Sequence, residues 1–245
     1  MSAFLRALAD DAAVAFRVLN ETGTLTPSAT LSFVVRVPGG DQVANVRHPD
    51  PFRPDAPPTV TLTTIVDGPG ALRPWGDGIR YAAVFAAHPW VGAVAHVHTP
   101  HLAAWALAHR PLPLRYVPAQ RETTAAELPV YVDRHEAEDA FILRALTDTP
   151  DLPGILEANG GATLWTRGGL LDLARLILIV EEGARAQTLA ELLGGSRDFG
   201  PGVLAQQWGA TGRADSPHAR TRIAESDTAH VHATTTPGHP RAPHT

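Results

Sequence analysis

Cysteine is absent from the 245 residues, which excludes disulfides, thiolate metal ligands and cysteine nucleophiles. Lysine is absent too: all 20 basic residues are arginine, a bias in keeping with genomic composition and of little functional weight. No long basic stretch occurs and the formal net charge is -5, which argues against nucleic acid as the main partner. Long apolar runs are missing as well. The best one, Leu170 to Val180, is too short to span a bilayer and is broken by Asp172 and Arg175, so no membrane association is expected. The first residues lack the basic segment and cleavage pattern of a signal peptide, and a cytoplasmic protein is the expectation. What is present is 44% hydrophobic residues over 245 positions, enough for one sizeable core without internal duplication.

The apolar pattern divides this core into alternating helices and strands. Residues 3 to 21 place Phe4, Leu5, Leu8, Ala12, Ala15, Phe16 and Leu19 at helical spacing. Turn signals at Thr26-Pro27 and Pro38-Gly39-Gly40 enclose a β-rich run at 31 to 37, with a partner at 42 to 46 and a further strand at 60 to 66. A helix over 78 to 87 precedes a buried strand at 92 to 98. Thr99 then stands at a helix cap and Pro100 at the first helical position, where a missing amide donor costs nothing. Further on, 129 to 132 reads as a strand, 136 to 146 as a helix and 162 to 165 as a strand. A long helix from 170 to 193 turns Leu173, Leu176, Ile177, Val180 and Ala184 toward the sheet. After residue 215, polar residues, proline and histidine replace periodic apolar positions. The expectation is one domain over 1–215 and a flexible tail over 216–245.

Gly92-Ala-Val-Ala-His96-Val-His98-Thr-Pro-His101 is the segment richest in chemistry. Side chains alternate along a strand, so His96 and His98 share a face and can offer two imidazoles to one metal. The same spacing also fits two histidines making ordinary hydrogen bonds at a sheet edge. His101, in the first turn of the next helix, can approach the same pocket or simply line that helix.

This segment, with Ser32-Phe-Val-Val-Arg-Val-Pro-Gly-Gly40 and the long late helix, resembles the class II aldolase/adducin family over residues 5 to 215. The resemblance implies a three-layer α/β/α sandwich, a homotetramer with sites near subunit boundaries, and a small-molecule substrate. It further implies a divalent ion, zinc or iron(II), held by histidines that include His96 and His98. A family glutamate that acts as acid or base corresponds here to Asp77. The family's third histidine falls in an Asn-His-Gly motif, where this chain reads Asn159-Gly160-Gly161, so a ligand is replaced by glycine. Tyr116 stands at the spacing of a family tyrosine and is implied as a second acid.

Several readings stay open for the residues around this motif. Asp77 either caps the helix that follows or faces the histidine pair as acid/base and third ligand; two histidines and one carboxylate are also the ligand set of ferrous oxygenases. Asn159-Gly160-Gly161 fits a tight turn. The family's phosphate-binding loops correspond to Ser28-Ala-Thr-Leu-Ser32 and Pro74-Trp-Gly-Asp77, which lack the Gly-Asn pattern and favour a nonphosphorylated substrate. Arg73 and Arg80 can hold a carboxylate, and Trp75 adds apolar surface beside Asp77. The expected activity is a metal-dependent lyase performing aldol cleavage or decarboxylation of a small oxo- or hydroxy-acid. Its alternatives are an iron-dependent oxygenase of an oxo-acid, as in relatives from biosynthetic pathways, and a noncatalytic binding or assembly protein.

Overall fold

In a computed structural model, the structure describes residues 3–50, 52, 53, 56–65 and 81–235, with side chains to 228. The first half runs α1 (Ala3–Glu21), β1 (Leu31–Arg36), β2 (Gln42–Arg47), β3 (Thr59–Thr64), α2 (Ala82–Ala87), β4 (Ala93–Val97) and α3 (Pro100–Leu107). It continues with β5 (Leu112–Pro113), α4 (Val117–Gln120), β6 (Glu127–Leu128), β7 (Val130–Tyr131) and α5 (Glu138–Asp148). The last elements are β8 (Gly154–Glu157), β9 (Ala162–Thr166), α6 (Leu170–Leu192), α7 (Val203–Ala210) and α8 (Pro217–Thr235).

Among the described residues, seven strands form one sheet in the order β3-β2-β1-β4-β9-β8-β7, antiparallel except for the parallel β7 and β8. The histidine strand β4 is therefore central. Paired residues share a face, and the register sets His96 opposite Ser32 on one side and Thr163 on the other. On the opposite face, Phe33 lies beneath α1, its ring 5.6 Å from that of Phe16. That side carries α1 and α6, whose Leu173, Leu176, Ile177, Val180 and Ala184 are all buried as the helical spacing predicts. The His96 face is covered by α2 and α5, which pack on each other and bring Tyr81 and Glu138 to Thr163. The result is helix, sheet, helix, as the family resemblance implies.

Residues 217–235 form α8, although they lack the apolar periodicity that would announce a helix. Its first turns are held by a small separate core of Leu204, Trp208 and Ala219, and Arg222 Nη1 donates to the Thr124 carbonyl at 2.6 Å. A few anchoring contacts suffice where the helix face is too narrow to read as amphipathic.

Candidate metal centre

β4 is buried on both faces and carries His96; it ends at Val97, so His98 stands just past the strand end. The two imidazoles lie edge to face, with Nε2 of His96 3.1 Å from Nε2 of His98. Two ring nitrogens at this distance need a proton or a cation between them, because facing lone pairs repel. Imidazoles bound to one zinc at bond lengths of about 2.0–2.1 Å stand roughly 3.0–3.4 Å apart. The pair therefore has the bite of a divalent-metal ligand pair.

Behind His96 stands Glu157, a residue the sequence reading passed over. It ends β8, and its carboxylate is 3% exposed with Oε1 2.8 Å from His96 Nδ1. The Thr163 hydroxyl, between the two strands, donates to the same oxygen at 2.5 Å and lies 3.2 Å from Glu138 Oε1. Arg134 approaches from outside, with Nη1 3.6 Å from Glu157 Oε2, Nη2 donating to the Ala158 carbonyl, and the guanidinium over the Tyr131 ring. A carboxylate oxygen accepts only, so it can receive the Nδ1–H of a neutral His96 and leave the Nε2 lone pair on the side of His98.

The β8–β9 connection is a tight turn, as the sequence predicts. Gly160 N donates to the Glu157 carbonyl at 2.8 Å, and Asn159 takes the left-handed conformation at φ 59° with its side chain 2.8 Å from His109 Nε2. Gly161 packs directly on His98: a Cβ there would run into the Val97 carbonyl and stand 2.6 Å from the His98 ring. At Gly160 a Cβ would meet only Glu157, with the nearest atom at 3.3 Å. The turn thus reaches the pair but brings no ligand atom from position 160.

His101 faces a different carboxylate. Glu181 of α6 is buried and accepts from the Thr99 hydroxyl at 2.6 Å and from the backbone amides of His101 at 2.8 Å and Leu102 at 3.0 Å. Its Oε1 is also 2.8 Å from His101 Nδ1. Thr99 holds the cap position of α3 without capping through its side chain; a carboxylate from another helix does that work. Tyr116 packs against Gly183 of α6, and its hydroxyl is held above the ordinary tyrosine range by burial and then by its hydrogen bond and proximity to Glu182. Asp77, Arg73, Trp75 and Arg80 lie outside the described residues.

The pair with its Glu157 support fits two positions around a divalent ion. Among the described residues, no three of His, Cys, Asp and Glu gather to hold a metal by themselves. A cavity of about 630 Å3 lies beside α1, walled by Phe16, Arg17, Asn20, Thr26 and His48 among others. It borders the histidine strand through Thr26, whose amide donates to the His98 carbonyl at 3.4 Å.

Residues 53–188 match the family described as Class II Aldolase and Adducin N-terminal domain. The chain belongs to that family. No curated protein matches it at the sequence level. Among solved structures, an L-fuculose 1-phosphate aldolase superposes with a TM-score of 0.62 at 15% identity, covering 88% of this chain and 98% of the other. An aldolase II superfamily protein from Pseudomonas syringae gives 0.61 at 15% identity over 96% of both chains. L-fuculose 1-phosphate aldolase from Glaciozyma antarctica PI12 gives 0.59 at 16% identity over 93% and 89%. At such identities the likeness is one of fold. Among the described residues, no helix is long and apolar enough to cross a membrane.

Proposed function

We propose that the chain is a metal-dependent lyase that cleaves or decarboxylates a small, nonphosphorylated oxo- or hydroxy-acid. The observation that carries this reading is the 3.1 Å approach of the two Nε2 atoms with a buried carboxylate behind one of them. Composition adds to it: the chain has no lysine, so no side-chain amine can form a Schiff base with a carbonyl substrate. Breaking a bond next to a carbonyl by the lyase route then calls for another electron sink.

His96 and His98 would hold the ion, zinc or iron(II), with Asp77 as third ligand or as acid/base. Bound there, a divalent ion supplies Lewis acidity toward a carbonyl oxygen. Asp77 moves the proton at the reacting carbon. Tyr116, whose raised pKa keeps its hydroxyl protonated across the neutral range, serves as second donor. Arg73 and Arg80 bind the substrate carboxylate, while Trp75 and His101 line the pocket. The nonphosphorylated class rests on Ser28-Ala-Thr-Leu-Ser32, where the Ser28 hydroxyl already engages those of Thr26 at 2.9 Å and Thr30 at 3.3 Å.

A second reading has its own support. With glycine at 160, two histidines and Asp77 make the ligand set of a ferrous oxygenase, acting on an oxo-acid. Oxo-acids, hydroxy-acids and sugar phosphates incubated with and without oxygen, with products resolved by mass, separate the two. Oxygen-independent cleavage of an acid is the expected result. Turnover confined to sugar phosphates would reject the substrate class, and oxygen-dependent turnover would select the second reading. Failure to take up metal, together with a persistent protein partner, would replace both with a binding role.

A further inference from the structure

We infer that Glu157 is a positioning residue that fixes the tautomer and ring orientation of His96, so that the β8–β9 hairpin serves the site from behind the imidazole rather than through a ligand at position 160. The inference rests on the proposed role of the histidine pair, but its primary readout does not require metal.

Register is the first support. β8 and β9 pair Ile155 with Thr163, and β9 and β4 pair Thr163 with His96, so Glu157, two residues on from Ile155, falls on the His96 face. A glutamate on a strand end is ordinarily solvated, whereas here it is 3% exposed and directed along the sheet at Nδ1. The second support is the saturation of its acceptors. Oε1 receives both His96 Nδ1 and the Thr163 hydroxyl, while Oε2 faces Arg134. A carboxylate oxygen can only accept, so this geometry favours, for a neutral His96, the tautomer with its proton on Nδ1 and the Nε2 lone pair on the side of His98. The third support is Gly161, whose lack of a side chain lets the same hairpin close on the His98 ring. One hairpin thus sets both imidazoles.

The test uses full-length protein labelled with 15N at histidine and freed of metal. Long-range 1H–15N spectra report the His96 tautomer, with the signal assigned by its loss in His96→Gln. The wild type is expected to show the Nδ1-protonated form. Glu157→Gln, whose amide can donate as well as accept, is expected to show a mixture. Glu157→Asp keeps the charge but withdraws the carboxylate by one methylene; it serves as the second variant if the first does not fold, with the same mixture expected. Zinc affinity, read by competition with a chromophoric chelator, is expected to fall roughly 10–100-fold in either variant. An unchanged tautomer in the folded variant overturns the inference whatever zinc does. If the wild type binds zinc, an unchanged affinity also overturns it. If the wild type does not bind zinc through the pair, the lyase reading fails and the tautomer alone decides the inference.

Discussion

Two adjacent glycines in the β8–β9 turn face opposite constraints. Gly161 is required by contact: a Cβ there would meet the Val97 carbonyl and the His98 ring. Gly161→Ala is expected to lower stability by about 1–3 kcal/mol, the usual cost of overpacking, and to displace His98. Denaturant unfolding measures the first effect, and zinc affinity the second. Gly160 is held less tightly: a Cβ would stand 3.3 Å from the Glu157 carbonyl oxygen, which a small shift of the turn relieves, and the positive backbone angle falls on Asn159 instead. Gly160→His should therefore fold as the parent does and gain at least about tenfold in zinc affinity by returning an imidazole to the ligand set. An affinity equal to the parent's would mean that position 160 does not address the pair. The missing ligand itself was visible in the sequence, as Asn159-Gly160-Gly161. Glu157 was not, because a lone glutamate before a turn reads as solvated and only the strand register reveals the face on which it is buried.

Helix α3 begins against a carboxylate that belongs to α6. Glu181 satisfies two backbone amides and the Thr99 hydroxyl while holding His101 Nδ1, so it joins the start of α3, just after the histidine pair, to α6. Glu181→Ala would strand these buried donors, each worth about 1–3 kcal/mol when left unsatisfied. The expected outcome is a loss of several kcal/mol in urea unfolding, with Glu181→Gln losing less because its amide oxygen still accepts. Equal stability of the alanine variant and the parent would show that water replaces the carboxylate. Long elements such as α1 and α6 were legible in the sequence, since their apolar positions recur at helical spacing. β8 escaped notice: four residues, Gly154–Glu157, are too few to display an alternation. Long-range capping leaves no sequence signal either, because Glu181 and Leu102 lie 79 positions apart.

Among the described residues, large apolar side chains are exposed on and beside α6. Leu189, Leu192 and Leu193, around the C-terminus of α6, are 53%, 80% and 88% exposed, and Leu107 is 61% exposed. The homotetramer that the family resemblance implies would give such exposed leucines a surface to cover. Light scattering is expected to give four subunits for the parent and fewer for Leu192→Glu/Leu193→Glu. A monomeric parent would oppose the assembly. The layers followed from the family resemblance and the burial of the histidine strand from its apolar run, while its central place in the sheet and α8 did not, since strand order leaves no local signal and a few contacts around Trp208 and Arg222 replace an amphipathic face. All of this architecture converges on two nitrogens 3.1 Å apart. The most direct test of their role is elemental analysis of protein purified without a histidine tag, beside a folded His96→Ala/His98→Ala variant. Close to one zinc or iron per chain is expected in the parent and almost none in the variant; equal metal in both would show that the pair does not hold the ion.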